Sequence, residues 1–297
     1  MVISRLGCLF FLSVLWTVCV SIVAPARLRS DDAMPTNPLM DQFLNRGLDI
    51  PGMEPFKLDA PTVREGMTAR ELDAALRKAA GKAPVKLFMQ PGQFKPITLS
   101  VEAVLDADKV RQAHHVKLQF VAFGKLDTVL KKNMLSHLIG GAKGKSERLT
   151  VSQLLKRDLA MLDSKVLKDQ YDILNMELLE KVSISGITHT VKTYGPKTAY
   201  STTILDDRFA NDAEYPNVWQ HVTPEGKLLG KPSPYSGMGG YVVALELPEP
   251  KGALYLEMHY ILPEPRGWFG GQEVLRSKLP ILIRDNVQEF RRKLAKE

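Results

Sequence analysis

Cysteine is nearly absent from this sequence. The chain has two cysteines, Cys8 and Cys19, and both lie within its first 20 residues. If that stretch is removed, as argued below, no thiol remains for a disulfide, a cysteine zinc site or a catalytic nucleophile. The stability of the remainder must then come from an ordinary hydrophobic core. The chain is long enough to bury one, since domains usually run from about 50 to 250 residues.

The sequence also lacks a strong excess of charge. It carries 40 basic and 33 acidic side chains, a formal net charge of +7. Its basic residues do not alternate with aromatic ones, as they do on surfaces that stack nucleic-acid bases. No nucleic-acid partner is therefore expected. Weak attraction to an anionic membrane surface stays open.

Motifs of the common enzyme classes are missing too. Gly144-Lys145-Ser146 resembles the end of a phosphate-binding loop, but the first glycine of that motif would fall at Ile139. Ser236 lacks the glycine two residues earlier that a nucleophile elbow requires. The chain contains neither a dinucleotide fingerprint nor the HExxH spacing of a zinc site. The sequence therefore predicts no cofactor and no metal ion.

A few polar residues could nevertheless carry chemistry. Glu257 and His259 lie two residues apart in a predicted strand and hence on one face of it, where they could form an acid/base pair or ligate a metal. His189 belongs to another predicted hairpin and could join them. We favour the alternative that each histidine is a hydrogen-bonded structural residue of the sheet. The adjacent His114 and His115 should point to opposite faces of a strand and so cannot share a metal.

The first 26 residues have the pattern of an export signal. Arg5 precedes an uncharged apolar run from Gly7 to Ala24, and Ala24-Pro25-Ala26 supplies small residues for cleavage after Ala26. The run also approaches the roughly 20 residues of a membrane-spanning helix, so residues 1–26 are either a signal peptide, which we favour, or a membrane anchor. The remainder is expected outside the cytoplasm, whether secreted, periplasmic or anchored by the leader.

Residues 27–62 are predicted to form an extended, proline-rich tether. Prolines interrupt every periodic pattern in this stretch, and polar residues and glycine fill the gaps between them. The prolines are Pro35, Pro38, Pro51, Pro55 and Pro61. Residues 63–297 are then expected to form a single α+β domain.

The pattern of the domain changes from helical to strand-like along the chain. Thr68 and Glu71 form a capping box for a first helix. Strands are predicted over residues 85–89, 97–105 and 116–123, and helices over 126–138, after 150 and over 167–178. Hairpins within 187–205 and 241–262 have short links, which imply an antiparallel sheet. The chain ends in an amphipathic helix predicted to turn Arg291 outward.

This order of elements resembles the START-like helix-grip fold, in which a curved antiparallel sheet wraps a long C-terminal helix. The resemblance covers residues 62–297 and is most local at the end, where a strand, the turn Pro265-Arg266-Gly267-Trp268 and the closing helix follow one another. It implies an apolar cavity between sheet and helix that holds a lipid or another apolar small molecule. Ile283, Val287 and Phe290 would line that cavity, together with Trp268.

The resulting expectation is an exported, non-catalytic binding domain for a hydrophobic, lipid-like ligand. Two alternatives stay open. The first is an enzyme that uses an acid/base or metal site near Glu257 and His259, with His189 as a possible third group. The second is a structural or interaction protein of the cell envelope, in which the face of the terminal helix packs a filled core.

Overall fold

The computed structural model describes residues 36–131, 134–138, 147–161, 164, 167–269 and 273–296. The predicted leader, residues 1–26, and the first part of the predicted tether lie outside the described residues. Residues Asp32–Glu297 group into one compact unit. None of the helices in the described ranges is long and apolar enough to cross a membrane.

The described chain contains six α-helices and ten strands. The helices are α1 (Pro38–Asp41), which continues as a π-helical turn over Gln42–Arg46, α2 (Ala69–Ala80), α3 (Val85–Phe88), α4 (Leu126–Lys131), α5 (Val151–Leu155) and α6 (Val274–Leu294), with 3-10 helices at Met134–Leu138 and Asp207–Phe209. The strands are β1 (Ile97–Leu105), β2 (Arg111–Phe123), β3 (Glu147–Arg148), β4 (Leu167–Leu178), β5 (Val182–Tyr194), β6 (Thr198–Leu205), β7 (Val218–Val222), β8 (Leu228–Pro234), β9 (Gly239–Glu246) and β10 (Ala253–Pro263).

All ten strands belong to one antiparallel sheet. The order is β1-β2-β10-β9-β6-β5-β4-β3, and β7 and β8 extend it as a branch from β5. The predicted hairpins are present as β5–β6 and β9–β10. Strand β2 pairs with β10, so an early strand lies beside the last one. The helix-grip architecture is confirmed: a large, curved antiparallel sheet packs against a long C-terminal helix.

Strand β10 is buried at every one of its 11 positions. Its even-numbered residues, such as Leu256 and Met258, join the core beneath α6. Its odd-numbered residues face the other way: Tyr255 packs under α2 and α3, and Ile261 packs under the N-terminal segment. Because side chains alternate along a strand, this pattern requires a cover on each face of the sheet.

The N-terminal segment supplies one of these covers, which corrects the predicted tether. Phe43, Leu48, Ile50 and Leu58 are each at most 4% exposed and pack against the sheet. The prediction of an extended spacer is therefore wrong for the described part of the segment, residues 36–62. The prolines exclude a long helix, but they do not prevent the apolar side chains between them from being buried.

Two further elements differ from the sequence-based expectation. Residues 85–88 form a helical turn after Pro84 instead of a strand. Residues 167–178 form strand β4 instead of a helix. In β4, Tyr171 faces one apolar cluster while Leu174 and Leu178 face another. A strand that is apolar on both faces loses its alternation of period two, and here the apolar spacing imitates that of a helix.

Arg291 of α6 is buried, although the helical pattern predicts it outward. Its guanidinium group donates to the backbone carbonyls of Val121, Gln93, Lys95 and Pro96 over distances of 2.6–3.2 Å. It also lies 5.4 Å from the centre of the Phe120 ring. Burial lowers the pKa of the guanidinium to about 10, so the group stays charged at neutral pH. Arg291 thus fastens the C-terminal half of α6 to strand β2 and to the turn before β1.

Replacing Arg291 by methionine should lower the free energy of unfolding by about 2 kcal/mol or more, because several buried carbonyl groups would lose their donor. Urea denaturation followed by circular dichroism measures the change. The matched control is Arg292→Met, since Arg292 is exposed and its ion pair with Glu289 should contribute less than about 1 kcal/mol. Equal losses in the two variants would contradict the role assigned to Arg291.

Candidate functional site

An apolar cavity lies between α6 and the face of the sheet that it covers. It has a volume of about 40 Å³ and is partly open to solvent. Its lining residues come from β2, β10, the end of β4, the 3-10 helix Met134–Leu138 and α6. The lining residues are Val116, Leu138, Met176, Glu177, Leu178, Met258, Tyr260, Leu262, Leu279, Leu282, Ile283 and Asn286.

The size of this cavity limits what it can hold as it stands. A volume of about 40 Å³ gives room for a few water molecules. Pockets for drug-sized ligands usually measure about 300–1,000 Å³. A lipid-sized molecule could therefore enter only if α6 or the 3-10 helix Met134–Leu138 moved away from the sheet.

Two polar residues of the lining, Glu177 and Asn286, are accessible to solvent. Glu177 is exposed, and Asn286 and Leu282 are partly exposed, whereas Leu262 and Ile283 are buried. The cavity therefore has an apolar floor and a mouth that carries one carboxylate and one amide. This arrangement suits an amphipathic molecule whose apolar end points inward.

The four predicted ligand-binding residues are all buried, but they do not share one surface. Ile283 lines the cavity. Val287 and Phe290 lie further along the same face of α6, where the Phe290 ring meets the edge of Phe120 at 5.7 Å. Trp268 stacks on Tyr235 with ring centres 5.4 Å apart. Val287, Phe290 and Trp268 thus belong to the same core as the cavity without appearing in its lining.

Glu257 and His259 do lie side by side, on the opposite face of the sheet from the cavity. The Glu257 carboxylate accepts hydrogen bonds from the Thr62 amide and hydroxyl, at 2.7 and 2.8 Å. It accepts others from Gln119 at 2.8 Å, Tyr255 at 2.9 Å and His259 Nε2 at 3.0 Å. With the carboxylate 1% exposed and hydrogen-bonded throughout, this group fastens the N-terminal cover to the sheet.

His115 extends this network, which sequence reasoning did not foresee. With the Nε2 proton of His259 directed at Glu257, His259 Nδ1 can accept from His115 Nε2, 3.3 Å away. Adjacent residues do point to opposite faces as predicted, since His114 pairs instead with Glu264. His115 and His259 are 144 residues apart, and only the pairing of β2 with β10 brings them together.

The pKa values in this network favour an ionised Glu257 and an uncharged His115. Burial by itself would raise the pKa of Glu257, but the hydrogen bond and charge of His259 and the hydrogen bonds from Thr62 lower it below its ordinary value. Burial, the charge of His259 and the charge of Lys117 lower the pKa of His115 to about 3, against a smaller opposing effect of Asp59. His115 is therefore uncharged at neutral pH.

His189 does not join this pair. His189 lies on β5, and its partners lie on the neighbouring strand β4. Its Nε2 is 2.6 Å from Asp169 Oδ1, and its ring stacks on that of Tyr171 with ring centres 4.4 Å apart. The expectation that it could complete a site with Glu257 and His259 is wrong, because β5 and β10 are separated by β6 and β9. Within the described ranges, no group of three or more His, Cys, Asp or Glu side chains could hold a metal ion.

The buried imidazole predicts a pH-dependent stability. Between about pH 6.5 and pH 3, the unfolded chain binds a proton at His115 that the folded chain does not, so stability should fall with falling pH by up to about 1.4 kcal/mol per unit. His115→Gln, which keeps a hydrogen-bond donor toward His259, should show a smaller slope by that amount in urea titrations. Equal slopes, or an NMR titration of His115 near its ordinary value, would contradict the assignment.

Known proteins resemble this chain only remotely. No protein-family model matches the chain, and no curated protein matches it. Among solved structures, it is similar to the human StarD13 (DLC2) lipid transfer and protein localization domain, with 10% identity, 68% of this chain and 86% of that chain covered, and a TM-score of 0.40. It is also similar to human STARD10, with 10% identity, coverages of 80% and 88%, and a TM-score of 0.29. The fold is START-like, as the chain's own topology of sheet and terminal helix shows.

Proposed function

We propose that this domain binds a hydrophobic, lipid-like molecule between α6 and the sheet. The observation that carries the proposal is the apolar, partly open cavity at this interface. Its apolar floor would hold a hydrocarbon chain. Its mouth, with Glu177 and Asn286, would face the polar end of the ligand and favour a neutral or cationic group over an anionic one.

Entry of such a molecule requires the cavity to widen, and α6 is built unevenly along its length. Pro280 lies within the helix beside the cavity and donates no backbone hydrogen bond. The first residue before the helix, Glu273, makes no side-chain capping hydrogen bond. The far half of α6 is fastened by Arg291 and Phe290. We infer that the first turns of α6 are the part that moves, against the buried Leu275 and the 2.6 Å ion pair of Glu273 with Arg111, which hold them in the closed form.

We also propose where the domain acts and that it does not catalyse a reaction. The domain would act outside the cytoplasm, on the basis of the apolar run from Gly7 to Ala24. It would bind its ligand without transforming it, because Glu257 and His259 are buried and engaged with each other on the face away from the cavity.

Ligand binding is tested with the compact unit, residues 32–297, purified without detergent. Native mass spectrometry, followed by organic extraction, should detect a co-purifying apolar molecule. Titration with a phosphatidylcholine that carries a fluorescent acyl chain should show saturable binding. A chain that carries nothing and does not bind the labelled lipid would overturn the proposal.

A matched pair of variants locates the site. Leu282→Glu places a charge at the mouth of the cavity and should weaken binding of the labelled lipid about tenfold or more, because burying that charge against a hydrocarbon chain is costly. Ile281→Glu changes the neighbouring residue, which is 53% exposed and not part of the lining, and should bind as the unmodified chain does. Urea midpoints confirm that both variants fold. Equal binding by both would place the ligand elsewhere.

Export is tested separately by the intact mass of the protein made in cells. Cleavage after Ala26 should leave a chain that begins at Arg27 in the extracytoplasmic fraction. A full-length chain in the membrane fraction would indicate a retained anchor instead. A full-length chain in the soluble cytoplasmic fraction would contradict export.

A further inference from the structure

A second surface of the domain is notable for its one-sided charge. Between Asp73 and Glu102 the sequence contains no acidic residue. The same stretch contains five basic residues, Arg77, Lys78, Lys82, Lys86 and Lys95. It spans most of α2, all of α3 and the turn that leads into β1. Over the whole chain basic and acidic residues are nearly balanced, so this concentration of positive charge is local.

The most exposed large apolar side chain of this surface is Phe94, which is 79% exposed. Leu87, on α3, is 39% exposed. A chain of hydrogen bonds connects the two positions, since the Gln90 amide donates to the Leu87 carbonyl at 3.3 Å and Lys95 Nζ donates to the Gln90 side chain at 3.0 Å. The turn that carries Phe94 and the helix that carries Leu87 are therefore joined by hydrogen bonds, and the lysines Lys86 and Lys95 directly adjoin these two apolar residues in sequence.

The backbone of the turn that carries Phe94 is held in place by the buried side chain of Arg291. Arg291 Nη1 donates to the carbonyl oxygens of Gln93 at 3.2 Å and Lys95 at 2.6 Å, the residues on either side of Phe94. Its Nη2 donates to Pro96 at 3.1 Å. The backbone on both sides of Phe94 is thus fixed to α6, while the ring itself is left in solvent. Single exposed apolar residues are common, but this one is presented by a fastened turn.

We propose that this surface, the basic docking face formed by Lys82, Lys86, Leu87, Phe94 and Lys95, docks the domain on an anionic lipid bilayer. Phe94 would enter the boundary between head groups and acyl chains, where aromatic rings are favoured. The lysines would be attracted to anionic head groups, each contributing about 1 kcal/mol, or about fivefold in affinity. Because the turn is already ordered, docking would lose little conformational freedom.

The charge of the face favours a bilayer over a second copy of the chain. Two copies that met through this face would bring like charges together, which opposes association. The inference is also independent of the cavity, since the basic docking face includes none of the lining residues. Failure of ligand binding would leave it standing, and its own failure would leave the cavity proposal standing.

The test is flotation of residues 32–297 with phosphatidylcholine vesicles that contain or lack phosphatidylserine. The chain should bind the anionic vesicles, and added salt should weaken the binding. Phe94→Ala should weaken it about tenfold, from the loss of one buried aromatic side chain. Leu228→Ala is the matched control, because Leu228 is 58% exposed on β8, outside the face, and should leave binding unchanged.

A charge variant completes the experiment. Lys82→Gln combined with Lys86→Gln should weaken binding to anionic vesicles about 25-fold, from about fivefold for each lysine. Equal binding to vesicles with and without phosphatidylserine would overturn the proposal, as would full binding by Phe94→Ala. Sedimentation velocity tests whether a second copy of the chain occupies this face instead. A dimer that Phe94→Ala converts to a monomer, with no vesicle binding by either form, would show a contact between copies and contradict the proposal.

Discussion

The structure depends on the buried carboxylate of Glu257. This one group accepts hydrogen bonds from Thr62 of the N-terminal cover, Gln119 of β2, and Tyr255 and His259 of β10. A buried carboxylate is stable only while its hydrogen bonds are made. Glu257 therefore links the N-terminal cover to strands β2 and β10, and those same strands form part of the floor on which α6 lies. The geometry of the cavity face is thus tied to contacts on the opposite face.

The sheet assigns different roles to its two faces. One face carries a closed network of polar and aromatic side chains, in which His259 stacks on Tyr241 and contacts His115. The other is apolar and includes the cavity beneath α6. The residues that suggest chemistry in the sequence are hydrogen-bonded to one another within this network. The proposed binding site consists mainly of leucine, isoleucine and methionine, residue types that show no chemical signature in a sequence.

Local and alternating patterns were predictable from the sequence, and long-range contacts were not. The capping box of Thr68 and Glu71 is present because its two members lie only three positions apart in the chain. The shared face of Glu257 and His259 follows from strand geometry, but their contacts with Thr62 and His115 depend on which strands become neighbours. Periodicity failed in β4, where both faces are apolar, and at Arg291, where burial is compensated by carbonyl groups of distant segments. On α6, the helical period identifies the buried face of Ile283 and Phe290 but cannot tell where the packing leaves space.

The pairing of β2 with β10 has a consequence for how the chain is made. Residues of β2 such as Phe120 find their partners, such as Leu256, only after the ribosome has synthesised more than a hundred further residues. A sheet with such a high contact order folds slowly, and β2 lacks its neighbour β10 for most of synthesis. If the chain is exported as we propose, this delay would keep it unfolded long enough to be threaded through a translocation channel.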